Sequence, residues 1–174
     1  MEFVEEGQLR EDPSAAVFDE RRRALVSALK SGEYPQTRGT LHRLADELSG
    51  AAGGFCCLGV ACEVAIKGGL GLYSIPCSSG HVTYGAPGSD ENQTRLPQAA
   101  WRWYGFDSSD PYLKVPRRFA GISEYVARYW HEGWTCVASM LNDDARLTLP
   151  QIGECFQYTF LREDWEAEHG AAAS

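Results

Sequence analysis

The spacing of hydrophobic residues predicts a chain built mainly of amphipathic helices. Over residues 14–31, apolar residues recur on one helical stripe, and Gly32 follows as a residue that commonly ends helices. The run over residues 55–66 is apolar apart from Glu63 and is longer than an ordinary strand. It therefore predicts a buried helix near residues 56–66, at the centre of the core.

Shorter helices and a few strands are predicted in the rest of the chain. The further helices are expected over residues 97–104, 123–130 and from 148 onwards, each introduced by a proline or a capping hydroxyl. The strand-like segments are residues 72–75, 81–84 and 112–115. Together these patterns predict a single α+β domain over residues 14–161, in which about four helices pack around a small antiparallel sheet.

The net charge of −8 is concentrated at the two ends of the chain. Residues 1–20 carry a net charge of −6 and residues 162–174 a net charge of −3, which leaves the body close to neutral. We therefore expect an acidic N-terminal extension over residues 1–13 and an acidic, frayed tail over residues 162–174. A body without net positive charge is not expected to bind duplex nucleic acid, because that binding depends on a basic face.

Composition favours a soluble protein of the cytoplasm. Hydrophobic residues make up 44% of the 174 positions, enough for a core without metal or disulfide cross-links. The N-terminus lacks the basic and then apolar pattern of a secretory signal, and no run of 18 apolar residues could cross a membrane. The six cysteines are accordingly expected to be free thiols, and no membrane partner is predicted.

Three stretches together resemble a known family. They are residues 24–36, the block Phe55-Cys56-Cys57-Leu58-Gly59-Val60, and Leu141-Asn142-Asp143 followed by Leu149-Pro150-Gln151-Ile152. In this order they resemble a family of small, mostly uncharacterised proteins of tailed phages and bacteria, over roughly residues 22–160. The resemblance implies a phage context, hence the cytoplasm of a host cell, and no particular reaction. The chain departs from this pattern by its acidic extension and by an insertion at residues 117–135.

Cys56 and His81 form the candidate catalytic pair. Cys56 follows a glycine loop and would open a helix, where unpaired N–H groups lower the pKa of a thiol. The order of the two residues resembles that of the NlpC/P60 cysteine peptidases and implies an amidase-like or peptidase-like hydrolase. The chain departs from that family at Phe55 and at Leu58-Gly59, and by a short separation of the pair. The alternative is that Cys56 is a buried, unreactive thiol.

No cofactor or metal is predicted. The chain has no phosphate-binding loop, no dinucleotide fingerprint and no metalloprotease motif. A metal site drawn from the thiols and histidine would lack the paired cysteine spacing of structural zinc; its candidates would be Cys56 or Cys57, Cys62, Cys77 and His81. Residues 142–144 lack the spacing of a calcium loop, and we interpret them as a turn that caps the following helix.

Aromatic and cationic residues supply the remaining candidate site. The candidate binding residues are Trp101, Arg102, Trp103, Trp130 and Trp134. Exposed tryptophans are typical of protein interfaces, so these residues predict a surface that binds a host protein. An alternative is a nucleotide or small-anion site on the segment from Arg95 to Tyr104. Arg21 to Arg23 are interpreted as a solvated helix face. The sequence thus favours a phage-associated accessory protein that acts by binding, with the cysteine hydrolase and the nucleotide binder as alternatives.

Overall fold

The structure, a computed structural model, describes residues 13–88 and 90–171. The elements in chain order are α1 (Ala15–Lys30), β1 (His42–Arg43), β2 (Gly54–Phe55), α2 (Cys57–Lys67), β3 (Tyr73–Pro76), β4 (Val82–Gly85), α3 (Gln98–Trp103), β5 (Tyr112–Lys114), a 3-10 turn (Arg117–Phe119), α4 (Glu124–Tyr129), β6 (Thr135–Val137), α5 (Ala138–Asp143), α6 (Leu149–Phe160) and α7 (Arg162–His169). These elements form one α+β domain, as predicted. Apart from Pro13, the expected acidic extension lies outside the described residues.

The helices are more numerous and shorter than expected. Seven occur within the described residues, against the four or so predicted, because the sequence did not predict α5 and α7, which span six and eight residues. In the described part of the chain no helix combines the length and the apolar character that crossing a membrane requires.

Helix α2 is the buried centre of the fold, as its apolar sequence predicts. Most of its residues from Cys57 to Ala65 are buried, and α1, α3 and α5 pack around it. Helix α1 also lies against α6, where Gly153 permits a close approach. A Cβ at Gly153 would lie 3.1 Å from the Cβ of Leu29. Burial of these apolar faces supplies the main stabilising free energy of the fold.

The strands form three separate antiparallel pairs rather than one sheet. Strand β1 pairs with β2, β3 pairs with β4, and β5 pairs with β6. A bridge between Arg43 and His81 places β1 beside the start of β4. The pairs stay small because strands of two to four residues offer few backbone hydrogen bonds.

The C-terminal region is helical, contrary to the expected frayed tail. Helix α7 covers residues 162–169, and Trp165 on it is fully buried against Tyr158, with ring centroids 4.7 Å apart. Two of its acidic residues pair with cations of α1. Asp164 accepts a hydrogen bond from Arg23 at 2.6 Å, and Glu168 accepts one from Lys30 at 3.0 Å. The acidic segment therefore closes over the basic edge of α1.

Two of the three arginines expected to form a solvated face instead fix the end of α3. Arg21 donates to the carbonyl of Trp103 at 2.7 Å, and Arg22 donates to those of Tyr104 and Gly105 at 3.0 and 2.9 Å. The last carbonyls of a helix have no partner within the helix, and cations are favoured there. These side chains thus join α1 to α3.

Candidate functional site

The cysteine block lies at the start of α2 and is packed into the core. The ring of Phe55 stacks on His42 with centroids 3.9 Å apart, while Cys56 and Cys57 are buried. Gly59 lies directly against the backbone before β1. A Cβ added to Gly59 would lie 1.8 Å from the carbonyl oxygen of Leu41. The block is therefore shaped by a close helix–strand contact, which only glycine at that position permits.

The Asn-Asp motif fastens the segment before β1. Asn142 is fully buried, donates through Nδ2 to the carbonyl of Thr37 at 3.0 Å and accepts from Gln36 at 2.9 Å. Asp143 accepts from the backbone N–H of Gly39 at 3.1 Å. The predicted turn that caps the next helix is thus wrong, because both residues lie in α5 and serve a segment about a hundred positions away. A buried amide needs such partners to offset its loss of water.

The three stretches that carry the family resemblance converge at this segment. The backbone N–H of Phe55 donates to Pro35 at 2.8 Å, and that of Thr37 donates to Phe55 at 2.9 Å. With the contacts of Asn142, the end of the first stretch is held between the second and the third. We call this arrangement, residues 34–42 with the start of α2 and with Asn142 and Asp143, the junction.

The burial of Cys56, rather than its pKa, opposes its use as a nucleophile. Hydrogen bonds from the Cys57 thiol and from the N–H groups of Gly59 and Leu58 lower the pKa of Cys56, as expected at a helix start. Burial and the nearby carboxylate of Asp143 act in the opposite direction on that pKa. The residue is only 5% exposed, so a substrate has little access to its sulfur.

His81 is not brought to Cys56. The backbone N–H of Cys56 bonds to Leu41, just before β1, whereas His81 bridges to Arg43 at the start of β4. Strand β1 therefore stands between the strand that leads to Cys56 and the segment that carries His81. The Nδ1 atom of His81 is buried and has no hydrogen-bond partner among the described residues. A catalytic base must lie within hydrogen-bond reach of its nucleophile, and no hydrogen bond joins this pair in the described part of the chain.

A different histidine occupies a hydrogen-bonded chain that the sequence did not indicate. Nδ1 of His42 lies 3.1 Å from the hydroxyl of Tyr84, which donates to Glu63 on α2 at 2.7 Å. Tyr84 is fully buried, and burial followed by the bond to Glu63 raises its pKa. Burial lowers the pKa of His42, against the opposing charge of Glu63. This chain ties β1 and β4 to α2.

The thiols and carboxylates are dispersed. Cys62 is buried within α2, and Cys77 lies 3.2 Å from the hydroxyl of Thr83 in the β3–β4 hairpin. Within residues 13–88 and 90–171, no three His, Cys, Asp or Glu side chains are grouped so that they could hold a metal ion.

The candidate binding residues on α3 are half-buried or engaged in local contacts. Trp103 packs over Gly68 and beneath the guanidinium of Arg21, 4.5 Å from its ring centroid, and lines a cleft of about 660 Å³ between α1 and α2. Arg102 is exposed and lies over the ring of Trp101 at 5.4 Å. Arg95, the cation of the alternative anion site, bonds to the buried carboxylate of Asp110 at 2.7 Å.

Trp130 and Trp134 lie on a different part of the surface, near β5 and β6. Beside Trp134 is a group of large side chains that surrounds a shallow depression of about 210 Å³. We call this group the aromatic face; its members are Tyr112, Tyr125, Tyr129, Trp134 and Met140. The cleft that Trp103 lines shares no residue with the two clefts that Trp130 and Trp134 line. The five candidate binding residues are thus divided between two regions.

Comparison with known proteins identifies the family. A family model described as a domain of unknown function, DUF8296, matches residues 19–159. The chain belongs to the DUF8296 family. The match includes the whole junction and the aromatic face, and it ends before α7. No curated protein and no solved structure matches the chain.

Several residues of this DUF8296 domain that form its surface features were not singled out from the sequence. Tyr125 and Tyr129 are four positions apart on α4, and their ring centroids lie 4.8 Å apart. That spacing places side chains on one helix face and could have indicated the pair. Tyr112 lies on β5 and Met140 on α5. The pairing of β5 with β6 brings them close to the two tyrosines of α4, and no local sequence pattern indicates that pairing.

Proposed function

We propose that the protein is a phage-associated accessory protein that acts by binding a host protein through the aromatic face. The observation that carries this proposal is the exposure of large apolar side chains in one place. Tyr112 is 65% exposed, Tyr129 48% and Met140 38%, and all three border the same depression. Clustered exposed aromatic residues lose unfavourable contact with water when a partner covers them, and tyrosine and tryptophan dominate the binding energy of many interfaces.

The position of the aromatic face in the chain also supports a role in partner choice. Tyr125, Tyr129 and Trp134 belong to residues 117–135, which the resemblance implies to be an insertion. Ser123 caps α4 by accepting from the N–H of Val126 at 3.2 Å, which fixes the two tyrosines on a formed helix. A preorganised surface loses less entropy on binding than a flexible one. The phage and host context rests on the resemblance.

The geometry around Cys56 does not favour cysteine hydrolysis. The hydrolase alternative needs Cys56 and His81 in contact, and β1 lies between the segments that carry them. The thiol is also shielded from solvent.

The test compares capture by the protein and by a variant of the aromatic face. The tagged wild-type protein and the Tyr112→Ser/Tyr129→Ser double variant are incubated in parallel with lysate of a bacterial host. The proteins that each of them captures are then identified. Ile75→Ser is the matched control, because Ile75 is 44% exposed but lies on β3. We expect a protein that is captured by the wild type and the control and is lost with the double variant, while all three melt at similar temperatures.

Capture without this difference between variants would contradict the proposal. Equal capture by the double variant would show that the partner binds elsewhere. A homodimer that dissociates on Tyr112→Ser/Tyr129→Ser, measured by light scattering, would show that a second copy of the chain covers the face, and would also refute a host partner.

A further inference from the structure

A second cleft lies on the other side of Trp134, between β5, the insertion and α6. Its volume is about 540 Å³, and cationic and aromatic side chains line it. The cations are Lys114, Arg117 and Arg162, and the aromatic side chains are Trp130, Trp134 and Tyr158. We propose that this cleft, here called the β5–α6 cleft, binds a nucleoside phosphate, with the base on the aromatic side chains and the phosphate at Lys114 and Arg117.

The charges of the cleft favour an anion. In the described part of the chain the side chains of Lys114 and Arg117 make no ion pair, whereas many of the other arginines bond to carboxylates or carbonyls. Arg162 bonds to Glu166 at 2.6 Å, so part of its charge is already neutralised. Glu132 is the single carboxylate in the described lining, which leaves a positive excess. Arginine and lysine are the usual partners of phosphate oxygens.

The aromatic walls are held in place before any ligand binds. The indole N–H of Trp130 donates to the carbonyl of Val115 at 3.2 Å, and the N–H of Val115 donates to the carbonyl of Trp134 at 3.3 Å. Tyr158 contacts the guanidinium of Arg162, 4.1 Å from its ring centroid, and meets the buried ring of Trp165 edge-on, with centroids 4.7 Å apart. Fixed aromatic rings beside cations form a stacking platform for a planar base.

The size of the β5–α6 cleft fits one small ligand. Its volume lies within the range of small-molecule sites, about 300–1,000 Å³. A chain with a net charge of −8 is poorly suited to hold a long polyanion. A free mononucleotide and the 5′-phosphorylated end of a single strand present the same chemistry to this cleft, and the experiment separates them.

The experiment is calorimetric titration of the full chain with the 5′-monophosphates of adenosine, guanosine, cytidine and uridine. Adenosine without phosphate, inorganic phosphate and 5′-phosphorylated tetrathymidylate are titrated as comparisons. We expect saturable one-to-one binding of at least one monophosphate, and weaker binding of the nucleoside and of phosphate alone. Stronger binding of the tetranucleotide would support the proposal with a strand end as the source; stronger binding of a monophosphate would support it with the free nucleotide as the source.

Variants assign the binding to this cleft. Lys114→Ala/Arg117→Ala should weaken binding about tenfold or more, because both charged contacts to the phosphate are lost. Arg128→Ala/Arg146→Ala removes the same charge from exposed positions outside the cleft and should leave the affinity unchanged. Absence of saturable binding of every nucleotide, equal binding of inorganic phosphate alone, or wild-type affinity in the Lys114/Arg117 variant would overturn the proposal. Neither variant changes the aromatic face, so failure here leaves the proposed function standing.

Discussion

Replacement of Gly59 by alanine tests the close packing on which the junction depends. In an exposed helix this change would stabilise the protein, because alanine is the better helix former. Here the new Cβ would lie 1.8 Å from the carbonyl oxygen of Leu41, little more than half the 3.4 Å at which ordinary contact begins. The obstacle is backbone rather than a movable side chain, so α2 must shift away from the segment before β1. That shift would also break the 3.0 Å hydrogen bond from Cys56 to Leu41.

The expected change in the free energy of unfolding has three contributions, of which the third opposes the first two. Overpacking of a tight contact costs up to about 3 kcal/mol, and this overlap is severe enough for the upper end. Loss of the hydrogen bond at Cys56 adds about 1 kcal/mol. The helix propensity of alanine returns about 1 kcal/mol. We therefore expect a net destabilisation of about 3 kcal/mol, which for a domain of this size lowers the melting temperature by about 6–12 °C.

Thermal unfolding followed by circular dichroism measures this effect, with urea titration as the second readout. Gly71→Ala is the matched control, because nothing lies within 4 Å of a Cβ at Gly71 and its φ is not positive. The control should be neutral or slightly stabilising. A Gly59→Ala protein that melts at or above the wild-type temperature would refute the contact between α2 and Leu41.

Three further predictions concern a buried carboxylate, the thiols and alkaline pH. Asp110→Ala removes the partner of Arg95 and of both donors of Ser139, and should destabilise the fold by about 2–3 kcal/mol in urea titrations. Asp107→Ala, at an exposed position, should not destabilise it. Equal stability of the two variants would show that the buried carboxylate contributes nothing to the free energy of unfolding. A thiol reagent at neutral pH should modify the partly exposed Cys77 first and the five buried cysteines only after unfolding. Fast modification of Cys56 in the folded protein would contradict this and support Cys56 as a nucleophile. Burial raises the pKa of Cys136 from 9.0 to about 11. Between these pH values the unfolded chain loses a proton that the folded chain keeps, so stability should fall as the pH rises from 9 to 11. A melting temperature that stays constant over that range would contradict this expectation.

The elements that the sequence predicted well are those with strong local signals. Helix α1 ends at Lys30, and Gly32 follows with a φ of +77°, which suits glycine. Thr148 is the N-cap of helix α6 and forms a capping box with Gln151, and the helix carries Pro150 in its first turn. Such signals act within four residues, so they can be recognised without knowledge of the tertiary structure.

The features that the sequence did not predict depend on distant partners. Helix α7 has an acidic sequence that indicates a solvated tail, and it is ordered by Arg23 and Lys30 of α1 together with the burial of Trp165. Strands β1 and β2 have two residues each, too few for an alternating pattern. The same limit applies to the candidate dyad, because the order Cys56 then His81 says nothing about strand β1, which lies between the segments that carry them.

The junction and the aromatic face use different parts of the chain for different purposes. At the junction, the cysteine block and the Asn-Asp motif meet the segment of Gln36 through buried contacts that leave little surface for a partner. Geometry restricts which residues fit at two of these positions. The backbone carbonyl of Leu41 lies against Gly59, and the side-chain amide of Asn142 is buried and hydrogen-bonded. Residues 117–135 instead place Tyr129 in solvent, where a change is expected to alter binding more than folding. We therefore expect substitutions at the junction to lower the melting temperature more than substitutions on the aromatic face do.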